Sequence, residues 1–178
     1  MNTQQLAASV VQGVSPGHAS TPVGLLQGRL HALNDLYLTL KHAHWNLVGP
    51  NFIAVHELLD AQADAVRVMT DDVAERIATL GGVAQGTAGA LVAERAWDDY
   101  GIGRADTSIH LSALDASYTR VIEGTREAVT VSGVNEPATE DLLIGQLRGL
   151  EKSQWLVRAH LATGADRPAG STAAKSGG

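Results

Sequence analysis

Apolar side chains recur along the early part of the chain at Leu26, Leu30, Leu33, Tyr37 and Leu40, a 4,3,4,3 spacing that lines one face of an α-helix. Thr21 followed by Pro22 predicts the start of that helix, with threonine as N-cap and proline at the first helical position. Gly49-Pro50 interrupts the pattern, and Asn51 is placed to cap a second helix. Its stripe is Val55, Leu58, Leu59, Val66, Met69, Val73, Ile77 and Leu80, and Gly81-Gly82 stops it. From Gly81 to about Ala105 the chain is rich in Gly and Ala, with "WDDYG" in its middle, which predicts a long connection carrying a short helical turn. Asp106-Thr107 is placed to cap a third helix with Leu111, Leu114, Tyr118, Val121, Ile122 and Val129 inward, ending at Ser132-Gly133. A fourth begins near Pro137 or Thr139, runs through Leu143, Leu147, Leu150, Val157 and Leu161, and ends at Gly164.

Short links between the first and second and between the third and fourth helices, with one long central crossover, match a ferritin-like bundle rather than an up-down-up-down one. The expected fold class is therefore all-α, a four-helix bundle with a long crossover containing a short helix. Residues 21–164 form this bundle. Residues 1–20, without Lys, Arg, Asp or Glu, read as a flexible arm, and 165–178 as a flexible tail.

Composition narrows the picture. The chain has 178 residues, 44% of them hydrophobic but only 4% aromatic, so one core of Leu, Val, Ile and Ala is expected. A formal charge of −6 argues against a whole surface built to attract phosphate, so DNA binding would need a local basic patch. Absence of cysteine removes thiolate metal sites and fits a reducing cytoplasm. With no basic, apolar leader and no apolar run of about 18 residues, the expectation is a cytoplasmic protein without membrane contact.

The candidate chemistry lies in "KHAHWNLVGPNFIAVHELLDAQADAVRVMTDDVAERIATLGG". His56 and Asp60 are four residues apart on the second helix, as are Asp71 and Glu75, and all four fall within a stripe of roughly 100°. Asp60 and Asp71 are nevertheless separated by about 16 Å of helix rise, too far to share one small metal cluster. Two copies of the helix packed antiparallel about a twofold axis would bring the His56/Asp60 end of one to the Asp71/Glu75 end of the other. His44 can join the first half by folding back across the Gly49-Pro50 turn. Two histidines and three carboxylates suit iron, manganese or zinc, and several carboxylates favour iron by stabilising its ferric state. The competing interpretation is an ordinary solvated acidic face, with Arg67 and Arg76 as counterions.

Other metal patterns fit less well. "HELLD" approaches the HExxH zinc-protease helix, but Asp60 stands where the second histidine belongs. A bundle-internal di-iron centre needs Glu-x-x-His, and no Glu here has His three residues later. His42 lies about 160° around the helix from His44 and points elsewhere. His18, His31, His110 and His160 read as surface or core residues.

"LTLKHAHWNLVGPNFIAVHELLD" followed by "DDVAERIATLGG" resembles the signature of the Dps family, the mini-ferritins known as DNA-binding proteins from starved cells. The likeness extends more loosely through "WDDY" and "LEKSQWLVRAHL", covering about Gly24 to Leu161. It implies a dodecameric shell built from dimers that binds ferrous iron at intersubunit dinuclear sites, oxidises it preferentially with hydrogen peroxide and stores ferric mineral. Carried over residue by residue, it makes His44, His56 and Asp60 the ligands from one subunit and Asp71 and Glu75 those from its mate. Trp45 would intercept stray oxidising equivalents or pack at the interface. Glu136, Glu140 and Asp141 would line an acidic pore, or simply favour a helix N-terminus. DNA-binding members commonly carry basic tails, whereas the tail here offers Arg167 and Lys175, and the arm only His18. DNA association, and with it a place at the nucleoid, would then rest on the avidity of twelve weak tails.

Overall fold

The computed structural model describes residues 16–162, with side chains from Pro22 onward. Five helices follow one another as α1 (Pro16–Asn46), α2 (Phe52–Thr79), α3 (Ala88–Glu94), α4 (Thr107–Ser132) and α5 (Pro137–Leu161), with two-residue strands β1 (Leu47–Val48) and β2 (Ala105–Asp106). α1 packs along α2, α4 packs along α5, and α1 also lies against α4. This is the four-helix bundle with a helix-bearing crossover that the apolar spacing predicts. Core positions from all four long helices meet inside it, among them Leu26, Leu33 and Leu40, Val66 and Val73, Leu114 and Tyr118, Leu143 and Leu150.

β1 pairs in parallel with β2, Leu47 opposite Ala105 and Val48 opposite Asp106. The start of α4 is thereby held beside the turn between α1 and α2, and the Thr107 hydroxyl donates to the Pro50 carbonyl at 3.1 Å. Since α2 and α4 both leave from this end, they run in the same direction, and the crossover has to return the length of the bundle.

Helix ends show where local rules held and where they did not. α2 stops in a Schellman motif: Gly81 has φ +83°, its N–H bonds to Ala78, and the Gly82 N–H bonds to Ile77. α5 begins with Pro137 directly after Glu136, as proline at the first turn requires. Thr87 caps α3 through its hydroxyl, which accepts from the Ala90 N–H.

The expected start at Thr21-Pro22 is corrected. α1 begins at Pro16 and Pro22 lies inside it, where its fixed φ is already helical and only one backbone bond is forfeited. Asn51 and Asp106 occupy N-cap positions without making side-chain caps; Asn51 is left-handed, with φ 62°. α5 ends at Leu161, and Gly164 and the C-terminal tail, like residues 1–15, lie outside the described residues.

Candidate metal centre

The turn between α1 and α2 folds His56 back onto His44. Gly49 makes this reversal with φ +101°, a conformation that favours glycine, and a Cβ there would lie 2.9 Å from an Asp106 carboxylate oxygen and displace that side chain. The two imidazoles stack with centroids 3.7 Å apart and planes 20° from parallel, and Phe52 lies against the outer face of His56 at 5.1 Å. Their backbone partners are reciprocal: His44 Nδ1 is 2.9 Å from the His56 carbonyl, and His56 Nδ1 is 3.1 Å from the His44 carbonyl.

A carbonyl only accepts, so both rings carry a proton on Nδ1, which leaves Nε2 as the nitrogen free to ligate. That is the arrangement in which a ligating histidine is oriented by its other nitrogen. Asp60 follows one helical turn after His56, with a carboxylate oxygen 3.9 Å from His44 Nε2. The same oxygen is 2.5 Å from Lys41 Nζ. This hydrogen bond, more than any other influence, holds the Asp60 carboxyl below the usual carboxylate range. Lys41 Nζ also sits 5.7 Å from the centre of the Trp45 ring, which is 70% exposed.

Asp71 and Glu75 lie further along α2, exposed, with no ion pair among the described residues. Arg76 does not neutralise them: its guanidinium bonds to Glu136 at 2.9 Å and to the Thr139 hydroxyl at 3.0 Å. The protomer thus brings His44, His56 and Asp60 together and leaves Asp71 and Glu75 apart, as the helix rise demands. No group of three or more potential ligands within one protomer is arranged to hold a metal among the described residues.

The bundle interior is equally unsuited to an internal centre. Tyr118, fully buried, donates to Gln62 Oε1 at 2.8 Å, and Gln62 Nε2 donates to the Ser153 carbonyl at 3.0 Å, an amide-and-phenol network without a carboxylate.

Of the acidic residues at the start of α5, Glu136 is buried in its pair with Arg76, Glu140 packs against Gly133, and Asp141 is exposed beside Asp72 and Arg148. Burial commits the Glu136 carboxylate internally; Asp141 alone of the three is exposed. His31 is buried against Gln27 and the Gln85 carbonyl, and the exposed His160 bonds to Leu156 within its own helix. The His18 side chain lies outside the described residues.

Residues 23–166 match a family model described as a ferritin-like domain. A DNA protection during starvation protein of Mycolicibacterium smegmatis is 49% identical over 156 residues, covering 88% of this chain and 85% of the relative. The chain is a member of the Dps family. A solved Dps structure, DpsA14 from Streptomyces coelicolor, is 64% identical and superimposes with a TM-score of 0.86, covering 90% of this chain and 95% of that one. Another relative, at 50% identity over 151 residues (85% of this chain, 79% of its own), is named the fine tangled pili major subunit of Haemophilus ducreyi. Dps membership therefore establishes the bundle, while the chemistry rests on the side chains. Sequence reasoning missed two features here: the His44–His56 stacking, and the pairing of Glu136 with Arg76. Gly49-Pro50 signalled the turn, but only packing shows which nitrogens it frees.

Proposed function

We propose that this Dps-family protein is a mini-ferritin. In this reading it oxidises ferrous iron, preferably with hydrogen peroxide, at dinuclear sites shared between two subunits, and it retains ferric mineral in a cytoplasmic dodecameric shell that protects against oxidative stress. One observation supports the reading: His44 at the end of α1 joins His56 and Asp60 at the start of α2, with two Nε2 atoms free to ligate, while Asp71 and Glu75 lie exposed further along α2 with no ion pair among the described residues. An antiparallel twofold mate completes each cluster with the acids of the other.

The chemistry balances for a pair of ions. Two ferrous ions each give one electron to peroxide, its O–O bond breaks, and two protons complete two waters, so no hydroxyl radical is released. His44 and His56 supply neutral nitrogen, while Asp60, Asp71 and Glu75 supply negative charge that favours the ferric product. Lys41 has to yield the Asp60 oxygen it holds before iron can use it.

Subunit mixing tests the shared site. Coexpress a variant lacking His44 and His56 (both →Ala) with one lacking Asp71 and Glu75 (both →Ala). Each is inactive alone, but a mixed dimer has one intact site of its two. With random pairing about a quarter of the sites are restored, read as ferric absorbance after anaerobic ferrous loading and peroxide addition. Assembled mixtures that recover nothing would refute the intersubunit assignment.

The name borne by several relatives, DNA protection during starvation protein, favours DNA association as a second reading. Gel retardation by the full-length oligomer at physiological salt decides it, and no shift eliminates it.

A further inference from the structure

Where the crossover meets α4, a tyrosine and a histidine are hydrogen-bonded to one another and have no part in the metal reading. Tyr100 Oη is 2.9 Å from His110 Nδ1, and the rings lie 21° from parallel with centroids 6.1 Å apart. His110 is fully buried. Its Nε2 is a buried side-chain nitrogen without a partner at hydrogen-bond distance among the described residues, and backbone acceptors of Gly103 and Asn46 lie near the ring. Tyr100 Oη has no other acceptor among the described residues, so the phenol donates to Nδ1 and the ring proton of neutral His110 sits on Nε2.

Burial pushes the Tyr100 phenol up to about 12 and the His110 imidazole down, so at neutral pH the proton rests on oxygen beside a neutral base. His42 closes the cluster, edge-on to Tyr100 at 5.7 Å, with its Nε2 donating to the Ile102 carbonyl at 2.8 Å. The chain has three tyrosines. Tyr118 donates to an amide oxygen, which does not take up a proton, and Tyr37 makes no hydrogen bond among the described residues. Tyr100 is the tyrosine whose phenol faces a base.

We propose that Tyr100, with His110 as its proton acceptor, is a redox centre of the protomer that supplies an electron to strong one-electron oxidants. The phenol gives one electron to the oxidant. Its O–H bond breaks as an N–H bond forms at His110 Nδ1, leaving a neutral tyrosyl radical beside an imidazolium. A hydroxyl radical, the oxidant formed when ferrous iron meets peroxide one electron at a time, becomes hydroxide and, with a solvent proton, water. A ferrous ion then returns the electron, becoming ferric, and the proton returns from nitrogen to oxygen. The inference rests on the iron-and-peroxide reading only for the natural source of the oxidant.

The test therefore omits iron. Azide radicals generated by pulse radiolysis in iron-free, full-length oligomer oxidise exposed indoles such as Trp45 and Trp155, and transient absorption follows transfer of the hole to tyrosine. Native protein should convert indolyl to tyrosyl radical, more slowly in D2O. Tyr100→Phe should lose the tyrosyl product, while Tyr37→Phe and Tyr118→Phe keep it. His110→Gln retains a hydrogen-bond acceptor but no base, and should lose it too. Full tyrosyl yield in Tyr100→Phe overturns the assignment. So does a native conversion rate unchanged in D2O, a measurement that needs no variant to fold. Either failure leaves the subunit-mixing result untouched, and failure of that experiment leaves this one standing.

Discussion

Tyr118→Phe removes one oxygen from the centre of the bundle. Tyr118 is fully buried and donates to Gln62 Oε1 at 2.8 Å, while Gln62, only 4% exposed, is anchored by its amide to the Ser153 carbonyl at 3.0 Å. Without the phenol, the Gln62 oxygen keeps its desolvation cost and loses its partner, a penalty of about 1–3 kcal/mol. For a chain of this size, at about 2–4 °C per kcal/mol, the midpoint of thermal unfolding should fall by about 2–12 °C. Gln62→Leu alone strands the Tyr118 hydroxyl and should cost a similar amount. The double substitution removes both ends together, so the pair should show an interaction energy of about 1–2 kcal/mol. Calorimetry must be run at one protomer concentration, because assembly adds to apparent stability by mass action. If the two single effects simply add, the hydrogen bond contributes nothing and the account of the bundle centre is wrong.

Acid should destabilise the protein through His110. Burial lowers its folded pKa, so its contribution is complete above the ordinary value of 6.5 and is lost as pH falls through the folded value. The melting temperature of native protein should accordingly drop more steeply below about pH 6.5 than that of His110→Gln; parallel curves would contradict the assignment. Gly82→Ala places a Cβ 2.7 Å from Val23 Cγ1 and 3.1 Å from the Ile77 carbonyl oxygen. It should cost about 1–3 kcal/mol in denaturant unfolding, and a neutral result would show that the end of α2 yields easily. Lys41→Met should let Asp60 titrate nearer its ordinary value, because the hydrogen bond that lowers it is gone. Anaerobic ferrous uptake should tighten in the same variant, more at low salt than at high. Unchanged uptake at low salt would show that Lys41 does not compete with iron.

The long helices were legible because each buries one continuous stripe, and spacing alone reveals a stripe. Leu26, Leu30, Leu33 and Leu40 all reached the core, as did Val55, Leu59, Val66, Val73 and Ile77. Ends were less legible. A threonine-proline pair favours a helix start, but it does not forbid a helix that begins a turn or more earlier and accepts the loss of one backbone bond, and Asn51 tolerates the left-handed backbone without using its side chain as a cap. The separation of Asp60 from Asp71 followed from helix rise alone. The stacking of His44 on His56, the burial of Glu136 with Arg76 and the junction of His42, Tyr100 and His110 did not, since each joins elements whose contact depends on tertiary packing. The two-residue pairing of β1 with β2 is too short to leave a periodic signal.

A single helix carrying its candidate ligands at two distant places has a consequence for timing. Neither end of α2 holds a complete set, so on the proposed reading a newly made protomer is chemically silent toward peroxide. Competence arrives only with a mate, in the same step that begins to enclose a volume for the product. On that reading the geometry would act as an interlock, with oxidation unable to run ahead of the container that receives its insoluble product.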